Sequence, residues 1–342
     1  MRYFPAVCIR ALALITASRG EEITLGTYNV ELFDKHFLAH RYAKHSATQD
    51  GVGKEILEEL RKKNDEDNWE TAKVILSREF NPDILVIEEG CEQADLDYFN
   101  RRWLSNTYAT VIQFPSNSDR RQHLCLLMKK GFKLLERRDQ YYLEPDPVGN
   151  ERGGRLFARG PVFVKVQSPK SYEFWVGLTH MKSKSVGAVE GAPPATAQKP
   201  GEESPEMRKR KVDASKWRNR EAVRTHKIIK ELEQAGPKDL ILLGDMNDSV
   251  GLDPYEGEGG GDAILNLVGP PEDGLTLATT KLAEAKRHSF NGYWRTGFRE
   301  MIDHVIVTSS MRDQVLDVRI LDQGLAEVAS DHFPVLVKIK SD

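Results

Sequence analysis

A chain of 342 residues with 39% hydrophobic and 30% charged side chains has the composition of an ordinary globular protein. Its 49 Lys and Arg against 52 Asp and Glu leave a net charge of −3, so no global basic field draws in nucleic acid, although a local basic patch or a bound cation would serve the same end. The three cysteines, Cys8, Cys91 and Cys125, show neither metal-ligand spacing nor the density of a disulfide framework.

Residues 1–22 open with Arg2 and a mostly apolar stretch that Arg10 interrupts. ALALITAS follows as a short hydrophobic core, with small residues at Ala17-Ser18. The pattern suits a signal peptide, which would export the protein to the periplasm or beyond, and equally an ordinary leading segment of a cytoplasmic protein. Cleavage would remove Cys8 and leave Cys91 and Cys125, which an oxidising compartment would let pair if they are close. No later run approaches the ~18 apolar residues of a membrane span.

The first strand is expected over 23–33, in EITLGTYNVELF. GKEILEELRKK has helical periodicity, with Ile56, Leu57 and Leu60 on one side. Residues 66–79 read as a helix that Asn81-Pro82 stops. DILVIEEG, 83–90, is a continuous apolar run and so a buried strand. Further strands are expected at 123–132, 159–167 and 172–183. Residues 186–206 are rich in Gly, Ala, Pro and Glu and read as a mobile loop. A helix over 207–235 buries Trp217, Val223, Ile228, Ile229 and Leu232, and Gly236-Pro237 ends it. DLILLGD is a buried strand, 250–300 reads as Gly/Pro-rich loops, and MIDHVIVTS, VLDVRIL and FPVLVKIK close the chain as strands. No repeat and no linker divides residues 23–342, which read as one α+β domain.

Several of these strand ends carry the same chemistry. Asn29 lies in TYNVELF, Glu88 and Glu89 end DILVI, and His180 and Lys182 stand two apart after FWVGLT, on one face if the strand continues. Asp245 and Asn247 end ILLGDMND, Asp303 begins DHVIV, and Asp331-His332 precedes FPVLV. Each alone has a bland reading as a turn, a solvated strand end or a structural histidine. Together they suit a shared site in which oxygen ligands hold a hard cation such as Mg2+ and imidazoles meet phosphate. Only one of Glu88 and Glu89 faces that site if their strand stays regular.

The order YNVELF, PDILVIEEG, THMKS, GDMND, IDHVIV, SDHFPV resembles the endonuclease/exonuclease/phosphatase, or DNase I-like, superfamily over roughly residues 23–340. The resemblance implies a four-layer αββα sandwich with two central mixed sheets, and metal-dependent phosphoester hydrolysis with Mg2+, or Mn2+, as cofactor. It implies that Glu89 is the main metal carboxylate, with Asn29 and Asp331 at the metal and Glu31 as an additional acid. Asp245 then orients or deprotonates the attacking water, and Asn247 holds the nucleophile or phosphate. His332 faces the scissile phosphate with Asp303 fixing its tautomer, and His180 contacts phosphate or the leaving group. Arg159 is either structural or reaches phosphate, with Lys182 and Arg121 as further phosphate contacts.

The same resemblance implies phosphoester hydrolysis and not a particular ester. SDHFPV and GDMNDSVGLDP look closer to nuclease-like members, so a nuclease or phosphodiesterase leads, with nucleic acid as substrate and no obligate protein partner evident. A phosphomonoesterase or sphingomyelinase-like phospholipid hydrolase is the alternative, and a non-catalytic phosphate-binding module the third. REMIDHVIV stands where inositol-polyphosphate phosphatases carry Pro-x-Trp-x-Asp-Arg, which counts against that branch. The run RKRKVDASKWRNR, 208–220, reads either as a solvated helix face with Trp217 buried or as a track for a nucleic-acid backbone with Trp217 stacking on a base. Phe290, Tyr293, Trp294 and Arg295 lie in a late loop that could clasp a base or sugar or plug onto the core.

Overall fold

Apolar runs without alternation belong to strands covered on both faces, and that is how the central strands of this protein are used. The computed structural model describes residues 20–37, 52–149, 154–184, 204–291 and 299–341. Its strands are β1 (Glu22–Asn29), β2 (Ile84–Gly90), β3 (Tyr108–Gln113), β4 (His123–Lys129), β5 (Lys133–Arg138), β6 (Val162–Gln167), β7 (Glu173–His180) and β8 (Leu240–Asp245), then the short β9 (Thr276–Leu277), β10 (Phe290–Asn291) and β11 (Arg299–Glu300), and finally β12 (Asp303–Val307), β13 (Val315–Ile320) and β14 (Val335–Lys340). The helices are α1 (Val52–Ile75), α2 (Gln93–Arg102), α3 (Pro205–Ala235), α4 (Ala263–Val268) and α5 (Ala326–Ala329).

Among the described residues, two six-stranded sheets form, ordered β13-β14-β1-β2-β4-β3 and β5-β6-β7-β8-β12-β9. Both are mixed: β1 runs parallel to β2 and β7 parallel to β8, whereas β14, β4, β6 and β12 pair antiparallel with their neighbours. Side chains alternate between layers as a pleat requires. Ile23, Leu25, Ile84 and Val86 meet Val176, Leu178, Ile241 and Leu243 between the sheets. Tyr28, Leu85 and Ile87 turn outward onto Ala72, Ile75, Leu96 and Phe99 of α1 and α2. On the far side, Phe163, Trp175, Leu240 and Leu242 pack on Trp217, Ile228 and Leu267 of α3 and α4. The result is the four-layer αββα sandwich expected.

The structure differs from the sequence reading at several boundaries. One continuous α1 unites the two helical stretches and ends at Ile75, short of residue 79. α3 starts at Pro205, with Ser204 capping it by accepting from the Met207 N–H, so residues 204–206 belong to the helix and not to the loop. The remainder of the expected mobile loop lies outside the described residues, as do Tyr293, Trp294 and Arg295. Residues 20–22, assigned to the leader, are part of the fold: Glu22 pairs with Lys340 and the Glu21 carbonyl accepts from the Ser341 N–H. The rest of that segment is outside the described residues. α2, β3 and β5 have no counterpart in the sequence reading. β3 and β5 are the outer strands of their sheets, and their half-exposed faces lack the apolar run that marks a central strand. No helix among the described residues is long and apolar enough to cross a membrane.

Candidate active site

Register brings the site together. Asn29 is opposite Glu88, His180 is opposite Asp245, and Asp303 is opposite Asp245 on its other side, so the ends of β1, β2, β7, β8 and β12 lie at one edge of the sandwich. Gly244 makes the close approach possible. A Cβ there would sit 1.9 Å from the Thr179 carbonyl oxygen, and its φ of +147° is one that L side chains rarely adopt. The glycine of GDMND therefore lets β8 lie against β7 one residue before Asp245.

Asp245 is the hub. It is buried, takes the Asn29 amide at 3.0 Å on Oδ2 and takes the Asn247 backbone N–H at 2.8 Å on Oδ1. His180 Nε2 lies 3.4 Å from Oδ2, and His332 Nε2 lies 3.8 Å from it. Asn247 has φ of +52° and donates its side-chain amide to the Met181 carbonyl at 3.1 Å. His332 holds Asp303 Oδ2 through Nδ1 at 2.8 Å. Ser289 Oγ accepts from the backbone N–H groups of Ile302 and Asp303, which fixes the carboxylate from behind. Ser330 Oγ donates to the Asn29 carbonyl at 2.7 Å and accepts from the His332 N–H, tying SDH to the first strand. Phe290 lies against the His332 ring, centroids 4.9 Å apart.

These groups set one another's protonation. Burial pushes Asp245 up to about 7; His332 opposes the shift and Asp303 adds to it. Burial works against the His332 cation, yet Asp303 and then Asp245 hold its pKa well above the usual histidine range. His180 goes the other way: burial, helped by Arg159 and His332, keeps it neutral. One imidazole is thus a cation with a fixed partner, and the other a neutral polar group.

Both glutamates at the end of β2 approach the site, because the strand does not stay regular. Glu88 continues the inward series of Ile84 and Val86 and is fully buried, taking the Thr27 hydroxyl at 2.5 Å. Burial, with Asp303 and Asp245 adding and Thr27 opposing, raises its pKa well above the carboxylate range. The β2–β4 register slips between Ile87 and Gly90, and Glu89 has φ of +55°. That turn brings the second carboxylate back to the edge, where Oε2 accepts from the Leu32 N–H at 2.8 Å and Oε1 stands 4.0 Å from His180 Nε2. Asp331 is half-exposed nearby. Burial raises its pKa, with Glu89 and Asp303 adding and His332 opposing.

The donor set fits a hard divalent cation. Among the described residues, Asp303 Oδ1 and Glu88 Oε2 are buried without a hydrogen-bond partner, and Asp303, Asp245 and Asp331 crowd around His332. Ligand atoms of Asp245, Asp303 and His332 also lie within 4.8 Å of one another. His332 Nδ1 is already committed to Asp303, so this trio works better as an oriented imidazole beside a carboxylate. The oxygens of Glu89 and Asp331 suit the cation.

Not every expected residue gathers here. β7 ends at His180, so Lys182 does not share a strand face with it; the Lys182 N–H donates to Glu221 at 2.6 Å and its ammonium to the Ser183 carbonyl at 2.9 Å. Arg121 is exposed in a turn with φ of +54°, its N–H bonded to the Ser118 carbonyl, and among the described residues no contact ties it to the site. Glu31 is exposed, and its backbone N–H donates to Asn29 Oδ1 at 3.1 Å. Arg159 is buried, bonded to the Met181 carbonyl at 2.7 Å and to Gln122 at 3.0 Å, a structural placement beside the site. Ser289 and Ser330 were not anticipated as supports, and Glu88 joins Glu89 although a regular strand would admit only one of them. Ser330 adjoins Asp331, so adjacency was the available signal; Ser289 had none.

The profile of the Endonuclease/Exonuclease/phosphatase family matches residues 26–332. The search of curated proteins by sequence finds no match. Among solved structures, truncated Caenorhabditis elegans TDP2 aligns with TM-score 0.56 at 14% identity, covering 94% of this chain and 98% of that one. D. rerio TDP2 complexed with a single-strand DNA product gives 0.54 at 14%, covering 93% and 98%. The Bacteroides thetaiotaomicron mannosyl-6-phosphatase Bt3783 gives 0.53 at 16%, covering 92% and 98%. At such identities the likeness is one of fold. With the family profile spanning nearly the whole chain, over the same strand ends that converge on Asp245 and His332, this protein belongs to the Endonuclease/Exonuclease/phosphatase family.

Proposed function

We propose that the protein is a divalent-metal-dependent phosphodiesterase that cleaves by in-line attack of water, with nucleic acid as its substrate. The observation that carries the reading is the buried His332–Asp303 pair at 2.8 Å standing beside Asp245, 3.8 Å from His332 Nε2. A carboxylate whose pKa lies near 7 is suited to take a proton from water at neutral pH. The Asn29 amide and the Asn247 N–H aim Asp245. His332, held as a cation by Asp303, presents its Nε2 proton to the phosphoryl oxygens as negative charge develops on them. His180, neutral and buried, supplies a second contact to the phosphoryl group or the departing oxygen. Glu89 and Asp331, with Asn29 as organiser, would hold Mg2+ or Mn2+, which when bound supplies Lewis acidity to the phosphoryl oxygens.

The single-strand DNA product held by D. rerio TDP2 supports nucleic acid as the substrate. The basic run of α3 does not contribute to that reading. Trp217 is buried and donates to the Leu156 carbonyl at 2.5 Å, Arg218 is fully buried, Arg208 binds Glu258, Arg210 binds Glu206, and Arg220 binds Asp146. A phosphomonoesterase is the second reading, favoured by the phosphatase of the same fold. The test is Mg2+-dependent hydrolysis of bis-p-nitrophenyl phosphate, p-nitrophenyl phosphate and single-stranded DNA, with Asp245→Asn and His332→Ala as controls. Cleavage of the diesters that both variants abolish supports the proposal. Turnover of the monoester alone moves the substrate to phosphomonoesters, and no turnover of any ester in Mg2+ or Mn2+ overturns the catalytic reading.

A further inference from the structure

Beside Asn247 the chain builds an ion cluster that the chemistry above does not use. The Lys184 ammonium lies 2.9 Å from Asp253, 3.2 Å from Asp248, 3.6 Å from Glu300 and 3.8 Å from Glu256. Arg218, fully buried on α3, binds Glu256 at 2.8 Å and approaches Asp248 at 3.4 Å. Asp248 and Glu256 are themselves fully buried. Two cations thus answer four carboxylates, and removing one cation leaves buried negative charge without compensation.

The partners of Lys184 come from the segments that carry the site. Lys184 stands four residues after His180, Asp248 directly follows Asn247, and Glu300 stands three residues before Asp303. The intervening backbone is bonded into the same edge. The Met181 carbonyl accepts from Asn247 at 3.1 Å, and the Lys182 carbonyl accepts from Arg218 at 3.4 Å. His304, next to Asp303, reaches the Asp248 carbonyl at 3.0 Å.

We propose that Lys184 is a positioning residue, whose ammonium is an internal counter-cation that locks the ends of β7, β8 and β12 in the arrangement that sets His180, Asn247 and Asp303 around Asp245. It acts through these segments and does not touch the phosphoryl group. Small displacements of such groups are costly, since a shift on the order of 1 Å can remove about 100-fold in rate.

The test compares Lys184→Met, Lys184→Arg and the double variant Lys184→Met/Asp253→Asn, which removes one carboxylate together with the cation. The kinetic arm rests on the proposed phosphodiesterase activity. With bis-p-nitrophenyl phosphate, Lys184→Met lowers kcat about tenfold or more while KM stays within about threefold. Lys184→Arg restores kcat, and the double variant recovers part of it. The second arm is hydrogen exchange, which needs no activity: amides of residues 178–184 and 244–249 exchange faster in Lys184→Met and at the wild-type rate in Lys184→Arg. A raised KM with intact kcat makes Lys184 a phosphate contact and overturns the proposal, as does unchanged exchange in Lys184→Met. If the wild type hydrolyses no phosphoester, the catalytic reading fails and the exchange arm still decides the role of Lys184.

Discussion

Asp303→Asn separates chemistry from stability. The carboxylate of Asp303 receives His332 Nδ1 at 2.8 Å, and both side chains are buried. A hydrogen bond to a charged group contributes ~1.5–3 kcal/mol. Losing that much stabilisation of the His332 cation at the transition state lowers kcat by about 10- to 100-fold. Stability is the balance of two opposed effects. Asp303 is the first support of the buried His332 cation, so its loss costs part of the same ~1.5–3 kcal/mol in the folded protein. Asp303 also adds to the raised pKa of Asp245, Glu88 and Asp331, so removing its charge relieves those acids. Asparagine keeps the volume and can still accept from His332 Nδ1. The expected pair of results is therefore a loss of kcat on bis-p-nitrophenyl phosphate with a Tm, measured without metal, within about 4 °C of the wild type. A variant within about threefold of wild-type kcat would refute the view that Asp303 holds His332 for catalysis. A larger fall in Tm together with the loss of kcat would show that Asp303 is a structural partner whose loss the fold does not tolerate.

Further outcomes follow from the same geometry. Mg2+ added to the metal-free protein raises Tm in a concentration-dependent way, because a ligand that binds only the native state stabilises it, and EDTA reverses the gain; in Glu89→Gln the rise is lost or needs far more Mg2+, which differential scanning fluorimetry reads directly. Gly244→Ala places a Cβ 1.9 Å from the Thr179 carbonyl in a backbone conformation alanine resists; it costs about 3 kcal/mol or more in urea unfolding, and a cost below ~1 kcal/mol would show that β7 and β8 can separate cheaply. Glu221 is buried, and burial raises its pKa from 4.5 to about 7 despite the Lys182 N–H and nearby Arg159. A carboxyl with a raised folded pKa favours the native state fully below its unfolded pKa and loses that contribution as pH rises through the folded value. Unfolding free energy should then fall between about pH 4.5 and pH 7, by on the order of 3 kcal/mol from this group, and Glu221→Gln should flatten the slope. Equal slopes in the two proteins would remove Glu221 as the source.

The chain declares its central strands by itself. ILVI of β2, LILL of β8 and HVIV of β12 are continuous apolar runs because each is covered on both faces, and polar groups just beyond such runs stand at sheet edges. The fold class and the gathering of Asn29, Glu89, His180, Asp245, Asn247, Asp303 and His332 at one edge were legible for that reason, once the order of motifs supplied the resemblance. The direction of a side chain beyond a strand end was not legible, because local periodicity stops there and distant partners decide it. Glu88 and Glu89 both reach the site only because β2 slips against β4 and Glu89 turns left-handed. Lys182 leaves the face of His180 because the strand ends at His180, two residues earlier, and Glu221 of α3 takes the Lys182 N–H. Trp217 is core and not a stacking platform because α3 lays that side on the outer face of the second sheet. The pKa near 7 of Asp245, the charged His332 and the cluster around Lys184 belong to tertiary structure alone. They arise from carboxylates of separate segments brought within a few ångströms of one another, out of water, where burial and then Coulomb interactions that would be negligible along the chain decide where the protons sit.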